Sequence, residues 1–86
     1  MVGTMDDGAR TRLQVRFVLV AYRAEITRLN RVELADDQRK RRIDALRARS
    51  MQILDAEREK LDGSAAWHPD VLEEIARAQA ELSVGA

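Results

Sequence analysis

Hydrophobic positions along this chain group into three stretches with helical spacing. In the first, Val15, Val18, Leu19, Tyr22, Ile26 and Leu29 form one stripe, and Leu13, Phe17, Val20, Ala21 and Ala24 form a second on the opposite side. In the second stretch Ile43, Leu46, Ile53, Leu54 and Leu61 share a stripe that lies roughly a quarter-turn from either stripe of the first. No glycine or proline falls between Gly8 and Gly63, so the backbone permits helix throughout. The segment "ELADDQ" nevertheless offers Asp36 and Asp37 as N-caps for a new helix. Phase change and caps together predict a hairpin; a continuous coiled coil with a stutter would produce the same shift.

The third stretch opens in "LDGSAAWHPDVLEEI", which holds the only tryptophan, histidine and proline of the chain. Leu61 closes the second helix, and Gly63 falls where a left-handed C-terminal cap belongs. Pro69 suits the first position of a helix with His68 or a neighbour as N-cap, which sets Trp67 and Leu72 at the spacing of a hydrophobic staple. Asp70, Glu73 and Glu74 load the opening turns with the charge that the helix dipole favours. Chain reversal thus accounts for the rare residues without chemistry. The predicted organisation is a flexible lead over 1–8 and one helical domain over 9–86, with helices about 9–33, 37–62 and 69–83. The expected fold is all-α: a long helical hairpin plus a short third helix, in a dimeric helical bundle.

The dimer expectation comes from the two-sided first helix. With Val15, Val18, Tyr22, Ile26, Leu29, Ile43, Leu46, Ile53, Leu54 and Leu61 as core, the stripe of Leu13, Phe17, Val20 and Ala24 is left over. A second copy of the chain would cover it, and so would a third helix folded back over that face.

Composition narrows the function classes. With 86 residues the chain supports one small domain. Cysteine is absent and histidine single, so disulfides and thiolate metal sites are excluded, a zinc site is not expected, and no cofactor is assigned. Six residues, Phe17 to Tyr22, make the longest apolar run, far below the roughly 20 that span a bilayer. Asp6 and Asp7 stand where a signal peptide would be basic. The formal charge of zero conceals an uneven distribution: residues 1–50 carry twelve Arg/Lys against seven Asp/Glu, and residues 51–86 three against eight. Opposite halves are therefore expected to pack together, within one chain or across an antiparallel pair. "RKRR" at 39–42 splays around its helix instead of forming a stripe. It reads as a solvated face or a partner for the acidic half, with no nucleic acid expected; beside a membrane it would also meet anionic headgroups. No nucleophile–base pair or phosphate loop is apparent, and no small-molecule substrate is evident.

Residues 47–75, "RARSMQILDAEREKLDGSAAWHPDVLEEI", resemble the cytoplasmic C-terminal tail of bacterial sodium/proton antiporters of the monovalent cation/proton exchanger family. Ala56-Glu57-Arg58, Leu61, Gly63, Asp70-Val71-Leu72 and Glu81-Leu82 stand where those tails carry an "AER" stretch, leucines, a glycine turn, a helix start and a closing "EL". The Trp-His-Pro of the turn and the non-acidic ending "LSVGA" depart from that pattern. The resemblance implies a non-catalytic dimerisation or regulatory tail on the cytoplasmic side of a membrane, in contact with a transport domain. A free-standing helical adaptor is the alternative. In third place stands an enzyme: "RRIDALRARSMQILDAER" superficially resembles the first helix of small all-helical chorismate mutases, but its "AER" is one residue out of register.

Overall fold

The structure, a computed structural model, describes residues 7–63 and 68–84. It is all-α: α1 (Asp7–Arg31), α2 (Asp36–Asp62) and α3 (Pro69–Ser83), with no strand among the described residues. The phase change between the first two apolar stretches is therefore a hairpin and not a stutter. Thr11 meets Glu57 at one end of α1 and α2, and Arg39 reaches Leu29 at the other, so the two run antiparallel. α3 runs alongside α1 in the same direction, with Asp70 at Arg12 and Glu81 at Arg23.

Helix ends match the expected caps in part: Gly63 ends α2 and His68 is the N-cap of α3, while both ends of α1 and the start of α2 differ. α1 begins at Asp7, so Gly8, assigned above to the flexible lead, is buried within the first turn. Its last turn stops at Arg31, two residues short of the expected end, because the Arg39 side chain takes over the closing carbonyls: its guanidinium donates to Leu29 O at 3.1 Å and Val32 O at 3.2 Å. The N-cap of α2 is Ala35, in extended conformation and without a side-chain cap; Asp36 and Asp37 lie inside the first turn. There they act through charge, facing the positive end of the helix dipole and pairing with Arg39 and Arg41. Gly63 caps α2 as expected by position but in right-handed conformation, with φ −82°. A side chain there would meet only ordinary contacts at 3.6 Å and 3.8 Å. Pro69 opens α3 after His68, whose carbonyl accepts from Leu72 N at 3.0 Å while its side chain makes no cap bond. Trp67, the other half of the expected staple, lies outside the described residues; Leu72 packs half-buried against the core.

The core joins Val15, Val18 and Tyr22 of α1, Leu54 and Leu61 of α2, and Val71, Ile75, Ala78 and Leu82 of α3. Leu29 is also buried. Ile26, Leu46 and Ile53, expected in the core, are half-buried at its edge, and Ile43 is half-buried outside the core cluster. Leu46 and Ile53 border the groove that α3 does not fill, and for Ile26 and Ile43 length is the physical reason. At 15 residues α3 is little more than half as long as its neighbours, and its last turn reaches α2 only at Arg47, which donates to Leu82 O at 2.7 Å. Beyond that level nothing from α3 covers the hairpin, and Ile26 and Ile43 keep one side open. Thr11, Ser50 and Glu57 are buried polar residues absent from the expected core. Ser50, Leu54, Glu57 and Leu61 form one stripe of α2, so the polar members follow the helical period as closely as the leucines do. Glu57 is met there by the Thr11 hydroxyl and Lys60, both at 3.4 Å.

Candidate functional site

Two antiparallel helices leave a groove along each side of their contact, and here the two grooves differ. α3 fills one. Its apolar stripe Val71, Ile75, Ala78, Leu82 is almost wholly buried between α1 and α2, and a furrow of about 200 Å³ persists beside Val15 and Leu19. Polar contacts line both flanks of the seat. On the α1 flank, Arg12 donates to Asp70 at 2.6 Å and Glu74 at 3.2 Å, and Arg23 donates to Glu81 at 2.8 Å. On the α2 flank, Arg58 donates to Gln79 at 3.2 Å, and Gln79 donates to Asp55 at 2.6 Å. Hydrogen bonding from Arg12 and Arg23 holds the carboxyls of Asp70 and Glu81 below the usual carboxylate range. The uneven charge of the sequence is thus settled, for these residues, by pairing within one chain.

The opposite groove is open. It measures about 620 Å³ and runs between Phe17, Ala21 and Tyr22 of α1 and Ala45, Leu46 and Ile53 of α2. Arg42 and Arg49 stand along its α2 rim and Gln14 and Glu25 along its α1 rim. Glu25 is engaged by Arg28, which, with Arg42 nearby, lowers its pKa. Arg49 enters no ion pair among the described residues, nor does Arg42.

The residues assigned above to a dimer interface lie along this open side and over the outer surface of α1. Phe17 is 70 % exposed, Val20 63 % and Leu13 49 %; Ala24 is exposed as well. α3 docks beside the other stripe and leaves this one uncovered. Phe17 lines the groove, whereas Leu13, Val20 and Ala24 are not among its lining residues.

The basic run at 39–42 divides into separate tasks. Arg39 caps α1, Arg41 pairs with Asp37 at 3.7 Å, Arg42 borders the open groove, and Lys40 is exposed. The capping roles of Arg39 and of Arg47, which closes α3, are the ones that sequence reasoning missed. Both depend on a carbonyl of another helix, for which the local sequence carries no signal.

Among the described residues no group of His, Asp and Glu is arranged to hold a metal ion, and no helix is long and apolar enough to cross a membrane. His68 Nε2 is buried without a partner among them. The fold places the chain in the class of small three-helix bundles with one groove filled and one open. Comparison with family models, with curated proteins and with solved structures returns no match.

Proposed function

We propose that this chain is a non-catalytic helical association domain that pairs with a second copy through the outer face of α1. The observation that carries the reading is the exposure of Phe17, Val20 and Leu13 on a helix whose other side is already packed. Exposed side chains of these sizes make a patch on the order of 300 Å², the scale at which the largest apolar patch of a monomer is often functional. Leu13, Phe17, Val20 and Ala24 follow one another at the four-three-four spacing of a helix–helix seam. The resemblance of residues 47–75 to sodium/proton antiporter tails supplies the setting: a cytoplasmic tail that brings transport domains together.

Sedimentation equilibrium of the purified chain over micromolar concentrations tests the pairing. The expected result is a concentration-dependent dimer that Val20→Glu abolishes while the urea midpoint moves little. A wild-type chain that stays monomeric into the high micromolar range overturns the pairing. The reading frame ahead of residue 1 tests the setting: apolar spans fused in frame support the tail, and an in-frame stop directly upstream removes it.

A further inference from the structure

The filled groove is a specimen of what the α1/α2 hairpin binds. Its occupant, α3, is a helix of 15 residues with apolar side chains at Val71, Ile75, Ala78 and Leu82. Carboxylates at Asp70, Glu74 and Glu81 flank that stripe and reach arginines on the wall of the seat. The open groove repeats the plan, with an apolar floor and a basic wall. Phe17, Tyr22, Leu46 and Ile53 supply the floor, and Arg42 and Arg49 stand two turns apart on the α2 wall. One feature differs: the arginines of the filled groove are matched by α3, whereas Arg49 makes no ion pair among the described residues and Glu25, which feels the charge of Arg42, is held by Arg28.

We infer that the open groove is a docking site for an acidic amphipathic helix of a partner protein, with carboxylates two turns apart on the flank that meets Arg42 and Arg49. Charge selects this occupant over a second α1. Between Asp7 and Arg31, α1 carries six arginines against two acidic residues, so another α1 laid in the groove would bring like charge to Arg42 and Arg49. An acidic helix meets both rim arginines and covers the face of Phe17 that turns into the groove. The inference goes beyond the pairing proposed above, because it concerns a different partner and a groove that shares Phe17, but not Leu13, Val20 or Ala24, with the pairing face.

A fluorescein-labelled peptide of residues 69–83 serves as the acidic probe, with a twin carrying Asp70→Lys, Glu74→Lys and Glu81→Lys. The tethered α3 keeps its own seat against the free peptide, because its effective concentration is on the order of millimolar. Fluorescence anisotropy with the intact chain is expected to show the acidic peptide binding in the range of tens to hundreds of micromolar, as suits a small interface, and weakening with salt. Arg42→Glu combined with Arg49→Glu is expected to weaken it about tenfold and to reverse the preference in favour of the lysine twin. Both arginines are exposed and enter no ion pair among the described residues, so the variants are expected to fold, which circular dichroism checks. Chemical-shift mapping is expected to mark Ala21, Ala45 and Ile53 and to leave Leu19 and Ala78 unmoved. The inference is overturned by any of four results: no binding at millimolar peptide, equal binding of the two peptides, binding indifferent to the double variant, or shifts at Leu19 and Ala78 that reveal exchange with α3. It is also overturned if the double variant abolishes self-association of the chain, since a second copy would then fill the groove. Peptide binding retained by Val20→Glu, in a chain that no longer pairs, separates this inference from the dimer.

Discussion

The two sides of the α1/α2 hairpin are built from the same materials and end in different states. On the α3 side, Ile75 and Leu82 are wholly enclosed and the facing arginines have partners. On the opposite side, Phe17 lies in water and Arg49 is unmatched among the described residues. The difference shows where the stability of a short bundle resides. Apolar area removed from water stabilises by about 25 cal/mol per Å², and only the side with a third helix removes it on both walls. The open side is then free to serve association, because changes there leave most of the folding energy intact.

The largest effect should separate the two sides through their floors. Ile75→Ala empties a fully enclosed position and is expected to cost about 2–4 kcal/mol, enough to unfold a large fraction of so small a domain. Ile53→Ala, at the half-buried floor of the open groove, should cost less than half as much. Urea denaturation followed by circular dichroism measures both, and equal losses would erase the distinction.

Next come two arginines on one helix. Arg47 donates to the closing carbonyl of α3 and to Asp44, whereas Arg49, two residues on, borders the open groove. Arg47→Ala is expected to lose about 1–2 kcal/mol as a charged hydrogen bond to a carbonyl of the last turn of α3 disappears. Arg49→Ala should stay within about 0.5 kcal/mol. Thermal melts of the pair decide, and an Arg49 variant as damaged as Arg47 would mean that the groove wall is structural.

Acid acts more weakly and on one side. Asp70 and Glu81 have lowered pKa values in the fold, chiefly through hydrogen bonds from Arg12 and Arg23. Their pairs therefore stabilise the fold above about pH 4.5, and that contribution is lost as pH falls through the lowered values. These groups are exposed, so the effect should be small and shrink further in high salt. Urea midpoints between pH 7 and pH 3, compared for wild type and Arg23→Gln, should show a shallower acid decline in the variant. Identical slopes would remove the Arg23–Glu81 pair from the account.

Gly63→Ala should have a small effect and a favourable sign. Gly63 sits at φ −82° with room for a Cβ, so alanine narrows the unfolded ensemble and stabilises by about 0.4–1 kcal/mol. A loss of stability in the melt would point to the left-handed cap that the sequence suggests.

How much of this could be read before folding depends on how far apart the interacting residues lie. Pro69 at a helix start and Gly63 at a helix end are local signals, visible at their own positions. The stripe of Val15, Val18, Tyr22 and Leu29 is equally local, because a helix brings those residues to one side whatever surrounds it. Ala35 displaced Asp36 as N-cap because Asp36 and Asp37 were taken into the first turn, where they pair with Arg39 and Arg41. Such competition between neighbouring caps is decided by the path of the preceding loop. The exposure of Ile43 needed the length of α3 and the level at which it docks. The buried Ser50 and Glu57 were hidden by their polarity, although their spacing with Leu54 and Leu61 marks them.

The amino-acid sequence by itself determined that the described residues form three helices, roughly where each starts and stops, and that α1 is apolar on two sides. Those are consequences of backbone preference and of a 3.6-residue period, which act within a few residues. Tertiary structure decided which of the two grooves α3 fills and therefore which stripe of α1 meets water. Arg12 and Asp70, like Arg23 and Glu81, stand 58 positions apart in the chain, and no local preference acts over such a separation. Only the packing of Val71, Ile75, Ala78 and Leu82 into one groove brings these partners together and leaves the other groove open.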